Sequence, residues 1–259
     1  GVSPTLVRAL AAADAPVDEV GEQLRSLRAF GSTGEPWNEA GWWWLFDAVG
    51  GGTRPIVNLS GGTEVGACLL SVNLLAGCVP CSVGGPALGV AVDVVDDAGR
   101  SVRGSGVAGE LVVRDAWPGM TRGIWGDPQR YRDTYWSRFA DMWHHGDIAE
   151  VDDEGWWFLH GRSDDTLNIA GKRIGPAEIE SVAMAVPGVA AAVAVGLPHD
   201  VKGEVVGLWC VAGSSPGEAL ADEALVAAVS DAVVAAFGKA FRPAHVAFVD
   251  ALPHTRSGK

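Results

Sequence analysis

The rhythm of apolar and polar positions changes twice along this chain. Near the N-terminus, Pro4-Thr-Leu-Val-Arg-Ala-Leu10 carries apolar residues at helical spacing, with a proline in the first turn, where a missing N–H is harmless. Residues 27–30 predict a short strand, and the polar run Gly31-Ser-Thr-Gly-Glu-Pro36 a loop. Asn38 is placed to cap a helix running to Val49. That helix carries Trp42, Trp43 and Trp44, whose rings are expected to pack in the core and on the domain surface rather than to bind sugar. Residues 55–59 form an apolar strand that runs into Ser60-Gly-Gly-Thr-Glu64.

The middle of the chain is richer in strand. Residues 90–96 and 109–114 have β character, with a turn at Asp97-Ala-Gly99, and residues 147–151 and 156–160 flank the hairpin signal Asp152-Asp-Glu-Gly155. After the polar break Gly161-Arg-Ser-Asp-Asp165, helices alternate with strands. Pro176 opens a helix that continues to Val186. Residues 189–195 and 204–211 read as strands, residues 218–237 as an Ala/Val-rich helix, and residues 245–249 as a last strand. The pattern predicts a mixed α/β protein in two parts. Residues 1–163 make a larger, β-rich part and residues 164–259 a small α/β domain, with the boundary at Asp164.

Composition narrows the function. Across 259 residues, 48 % are apolar and 20 % charged, enough to build a core in each part. No apolar stretch is long enough to span a membrane and no export signal is visible, so a cytoplasmic protein is expected. A net charge of −13 argues against nucleic acid and against an anionic membrane as partners. An anionic ligand would need local positive charge or a metal. Cys78-Val-Pro-Cys81 has CxxC spacing but no second ligand pair, and His144 and His145 lack further ligands at metal spacing; ordinary reduced cysteines are expected.

Five short segments can carry chemistry, each weakly by itself. Ser60-Gly-Gly-Thr-Glu64 offers close backbone approach, a hydroxyl and a carboxylate suited to a hard cation. Gly31-Ser-Thr-Gly-Glu-Pro36 could wrap a flat ring or a phosphate. His145-Gly-Asp147 enters the hairpin, and its carboxylate can accept two hydrogen bonds from a diol. Arg162, Lys172 and Arg173 gather positive charge near the domain boundary. Pro253-His-Thr-Arg-Ser-Gly-Lys259 presents a lysine on a small, mobile stem. No Walker P-loop is present.

In order and spacing, all five segments together resemble the adenylate-forming superfamily, and most of all its acetyl-CoA and acetoacetyl-CoA synthetase branch. The resemblance covers essentially the whole chain and implies a fold. The chain would be the C-terminal part of a large AMP-binding domain, including its β-rich subdomain, followed by a small mobile α+β lid domain. It also implies roles. Gly34, Glu35 and Pro36 would line the adenine, Thr63 contact phosphate and Glu64 bind Mg²⁺. Asp147 and Arg162 would hold the ribose, Asp164 act as hinge, Gly171 lie along CoA and Arg173 face phosphate. Lys259 would be the adenylation lysine. The substrates implied are ATP with Mg²⁺, a small-molecule carboxylate and CoA. In acetyl-CoA synthetases the segment matching Ser60–Glu64 looks like Trp-Trp-Gln-Thr-Glu, so Gly61 implies an acyl pocket open to an acid larger than acetate, such as acetoacetate, propionate or butyrate. Two alternatives are an adenylation domain that loads a carrier protein and an inactive nucleotide-binding remnant. The phosphate loop of the family lies outside this sequence, so the chain by itself is expected to be inactive.

Overall fold

The computed structural model describes residues 1–13, 16–17, 23–169, 172–200, 203–213 and 223–253. It divides into two compact units, Gly1–Leu159 and His160–Lys259. Asp164 falls just inside the second.

The first unit opens with helix α1 (Pro4–Ala12), whose first turn is capped by the Ser3 hydroxyl accepting from the Leu6 N–H at 3.2 Å. Strand β1 (Phe30–Ser32) pairs in parallel with β2 (Ile56–Gly62), which runs antiparallel to β3 (Ala67–Ser71), itself paired with the short β4 (Gly85–Pro86). β1 lies later than residues 27–30 because the ladder with β2 begins at Phe30↔Ile56 and carries on through Gly31 and Ser32. Local apolarity pointed to Leu27, but pairing decides the strand. The helix after Asn38 is α2 (Glu39–Trp43) followed by a π-helical stretch, Trp44–Val49, that closes with the Gly50 N–H bonded to the Leu45 carbonyl. Asn38 precedes α2 but makes no side-chain cap. Trp42 enters a core with Val7, Phe30, Trp37 and Ile56, and Trp43 stands edge-on to it.

A second sheet, in the order β5-β6-β7-β8, is built from β5 (Val92–Val95), β6 (Gly109–Val113), β7 (Trp143–Val151) and β8 (Trp157–Arg162). The β7–β8 hairpin is closed by Asp152, whose carboxylate accepts from the N–H groups of Glu154 and Trp156. Helix α3 (Pro128–Tyr135) stacks Tyr135 on Trp143 at 4.1 Å between ring centroids. Trp143 and Trp157 are both fully buried.

In the second unit, β9 (Leu167–Ile169), β10 (Lys172–Ile174), β11 (Val189–His199), β12 (Gly203–Ala212) and β13 (His245–Phe248) form one sheet. β12 pairs antiparallel with β11 and parallel with β13. Helices α4 (Pro176–Met184) and α5 (Glu223–Phe237) bury Ile179, Ala183, Val229 and Val233 in its core. β11 runs four residues beyond the expected Val195, because its ladder to β12 is continuous to His199↔Gly203. The start expected for the last long helix, residues 218–222, lies outside the described residues.

Candidate functional site

Two irregular strand pairings bring the chemistry of the first unit together. Along β2 and β3 the ladder steps from Ser60↔Leu70 to Gly61↔Cys68, which leaves Leu69 as an extra residue buried in the core. The chain then tightens into the turn Thr63–Val65 and leaves through Gly66, whose φ of +64° suits glycine. A Cβ on Gly66 would lie 2.6 Å from the Gly119 carbonyl oxygen. The Trp117 indole N–H donates to the Val65 carbonyl at 2.8 Å, and the Thr121 N–H donates to the Glu64 carbonyl at 3.2 Å. Thr63 is thereby exposed and Glu64 half-buried on a braced turn.

Gly61 and Gly62 differ. A Cβ on Gly61 would meet the β3 backbone, at 2.6 Å from the Ala67 oxygen and 2.9 Å from the Cys68 Cα. A side chain there needs β3 to move, so the glycine is demanded by strand pairing as well as by any pocket. The three atoms nearest a Cβ on Gly62 would all belong to the Glu64 side chain, with its carboxyl carbon 2.6 Å away.

The second irregularity is in β7. Its pairing with β6 runs Glu110↔Ile148 and then Val112↔His144, so His145, Gly146 and Asp147 occupy the space opposite Leu111 alone. Gly146, at φ +85°, makes this bulge possible. The buried His145 ring places Nε2 3.5 Å from Asp147 Oδ2 and Nδ1 3.7 Å from Glu64 Oε1. The Ser60 hydroxyl is 3.5 Å from the same Asp147 oxygen. Glu64 and Asp147, distant in sequence, thus face one imidazole.

The Gly34-Glu35-Pro36 loop follows β1, with Gly34 at φ +106°. The Glu35 carboxylate is taken up by α1: it accepts from the Thr5 N–H at 2.9 Å, from the Thr5 hydroxyl, and from the Arg8 guanidinium at 2.8 Å. Burial would raise its pKa, but the Thr5 and Arg8 hydrogen bonds and the Arg8 charge outweigh burial and hold it below the usual carboxylate range. Its side chain therefore anchors the loop to α1.

In the second unit Arg162 ends β8, and its Nε lies 3.0 Å from Asp164 Oδ1 on the following turn. Arg173 sits on β10 opposite Asn168. Gly175 packs without room for a side chain against the His160 carbonyl, and the His160 ring lies 3.4 Å from Glu178. Burial raises the Glu178 pKa, but the His160 contact and the Gly175 N–H together lower it further. Gly171 and Lys259 lie outside the described residues.

Burial also pushes the Cys81 thiol up to about 12, with Glu39 adding repulsion, which disfavours a thiolate there. Among the described residues no cluster of three or more metal-ligating side chains occurs. Glu64 with the neighbouring Thr63 hydroxyl fits a Mg²⁺ that keeps its waters and takes phosphate oxygens, which needs only one protein carboxylate. The motifs in the sequence include Ser60 and His145 without a role for either, and contain no sign of Gly66 or Trp117. Their roles come from pairings between distant segments.

Comparison with known proteins places the chain in a family. The family model described as AMP-binding enzyme matches residues 1–125, and that of the AMP-binding enzyme C-terminal domain matches residues 178–259. Acetyl-coenzyme A synthetase of Vibrio vulnificus is 39 % identical over 262 residues, covering 99 % of this chain. Acetyl-coenzyme A synthetase 1 of Pseudomonas aeruginosa is 38 % identical over 260 residues. The chain spans 39 % of the length of each. Among solved structures, the acetoacetyl-CoA synthetase of Streptomyces lividans superposes with a TM-score of 0.79 at 28 % identity, over 99 % of this chain and 38 % of that one. ATP-bound MatB of Rhodopseudomonas palustris gives 0.82 at 26 %, over 99 % and 48 %. With both family models matched in order along a mixed α/β fold that superposes on these enzymes, the chain belongs to the AMP-binding enzyme family.

Proposed function

We propose that the protein to which this chain belongs is an AMP-forming carboxylate–CoA ligase. The observation that carries the reading is the convergence of Glu64 and Asp147 on one braced site in a chain of this family. In the first half-reaction a carboxylate oxygen attacks the α-phosphorus of ATP, giving acyl-adenylate and pyrophosphate. In the second, the CoA thiol attacks the acyl carbon and releases AMP.

Each residue then has a task. The Gly34–Pro36 backbone lines the adenine and Asp147, with Arg162, holds the ribose hydroxyls. Thr63 touches phosphate and Glu64 holds Mg²⁺, which supplies charge neutralisation when bound. Arg173 faces phosphate. Lys259 adds a point charge as negative charge builds on the transferring phosphorus. Asp164 is the hinge about which the small domain turns between the two half-reactions, bringing Gly171 to CoA. Gly61 stands where acetyl-CoA synthetases carry an indole, and on that resemblance the acid is short-chain and larger than acetate, even though the β3 backbone lies where a Cβ would begin. Each further buried methylene adds about 0.8 kcal/mol to its binding.

Carboxylate-dependent ATP–pyrophosphate exchange over a panel of acids, with the full-length protein, tests this reading. Exchange should be highest with acetoacetate, propionate or butyrate. Highest kcat/KM on acetate would overturn the pocket argument, and no exchange with any acid would overturn the ligase.

A further inference from the structure

The cluster around His145 contains more than the roles assigned above. Its imidazole is 4 % exposed and stands between two carboxylates that approach it from different elements: Glu64 from the turn after β2, and Asp147 from the same bulge of β7. Nδ1 lies 3.7 Å from Glu64 Oε1 and Nε2 3.5 Å from Asp147 Oδ2, close packing at distances longer than an ordinary hydrogen bond. The bulge that makes this possible depends on Gly146 at φ +85°, and the Glu64 side chain can fold back toward the ring only because residue 62 is a glycine. His144, the neighbouring residue, is engaged elsewhere: its Nε2 lies 2.9 Å from the buried Glu110.

Resting on the nucleotide reading of the site, we infer that His145 is a positioning residue that couples the ribose carboxylate to the metal carboxylate. It touches neither reacting atom. Two like charges on separate elements would drift apart or seek other partners; a buried ring with a nitrogen toward each fixes their spacing before nucleotide arrives. Binding of the ribose at Asp147 and of the cation at Glu64 then share one organising group, and loss of that group weakens both.

The test is a double-mutant cycle on equilibrium AMP affinity, read by calorimetry with EDTA present, in the full-length protein. Without metal, AMP reports on Asp147 rather than on Glu64. His145→Leu fills the buried volume without a polar group, and His145→Gln restores a donor. His145→Leu and Asp147→Ala should each weaken AMP roughly tenfold, the scale of losing one polar contact with a charged group, and the double variant should bind no worse than Asp147→Ala. His145→Gln should recover most of the loss, and His144→Ala should leave AMP affinity unchanged. In a second arm, His145→Leu should raise the Mg²⁺ concentration needed for half-maximal ATP binding. If His145→Leu does not fold, His145→Asn, too short to reach both carboxylates, replaces it in the cycle. Additive losses, or equal losses in the Leu and Gln variants, would overturn the inference while leaving the nucleotide site standing. Absence of AMP binding by the wild-type protein would instead remove the nucleotide reading and this inference with it.

Discussion

Asp147 is held on a bulged strand, 14 % exposed and within 3.5 Å of both His145 and Ser60. Arg162, which ends β8 in the second unit, is 48 % exposed and reaches Asp164, itself 72 % exposed, two residues on. The first unit fixes its candidate residues by distortion: strand bulges, a tight glycine contact and buried polar pairings. The second unit buries an Ala/Val-rich sheet, with one irregularity between Val189 and Ala191, under two helices, and carries Arg162 and Asp164 exposed at a strand end and turn. Fixed groups can define where a nucleotide sits. Groups on an exposed turn gain little from each other, because solvent screens the pair, and gain most from a bound anion. On the proposed function, the first unit would bind the nucleotide and the second would supply charges at particular stages.

The largest effect is expected at Lys259. In the full-length protein, Lys259→Ala should lower acyl-adenylate formation ~10²–10³-fold, the effect of losing one charge that meets developing negative charge. Thioester formation from supplied acyl-adenylate should stay near wild type, and single-turnover assays of each half-reaction read the two separately. Asp164→Pro should do the reverse, because proline fixes φ near −65° and hinders rotation about the hinge. Adenylate formation persists, while thioester formation falls by ~10²-fold as the second set of groups is misplaced. Equal loss of both halves in either variant would mean that the lysine or the hinge is misassigned.

Within the first unit, Gly66→Ala should destabilise by about 1–2 kcal/mol, from left-handed backbone that a Cβ resists, before counting displacement of Gly119. Chemical denaturation measures this loss, and AMP affinity should fall with it. Gly126→Ala, also at positive φ but with open space around it, should lose stability without loss of affinity.

The smallest effects concern pH. The pKa of Glu35 is lowered in the folded state from 4.5, so its stabilisation is fully present above that value and is lost as pH falls below it, through the folded pKa. Glu178 in the second unit is lowered in the same sense. Its side chain is 34 % exposed against 23 % for Glu35, so screening leaves it the weaker contributor. Unfolding followed between pH 5 and pH 3 should show a shallower loss of stability for Glu35→Gln than for wild type, with a smaller difference for Glu178→Gln.

Much of the second unit was legible in the sequence, because its strands and helices are continuous apolar runs punctuated by Pro176, Gly188 and Gly203. The β7–β8 hairpin was legible for the same reason: Asp152 and Gly155 make the turn whatever surrounds it. The start of β1 was not, since only pairing with β2 sets it. The site was legible as motifs and illegible as geometry. Nothing local shows that His145 faces Glu64, because their meeting depends on a bulge opposite Leu111 and on a turn braced by Gly119 and Trp117. Gly61 illustrates the limit best. The sequence suggests an empty volume, whereas the structure puts the backbone of β3 where its side chain would begin.

In the proposed reaction a carboxylate oxygen attacks the α-phosphorus. Label its destination: incubate the full-length protein with ¹⁸O-carboxylate, ATP, Mg²⁺ and CoA, and weigh the nucleotide product by mass spectrometry. The attacking oxygen stays on phosphorus when the thiol takes the acyl group, so the account predicts AMP carrying one ¹⁸O, formed in step with acyl-CoA. Unlabelled AMP, or ADP in its place, would contradict it.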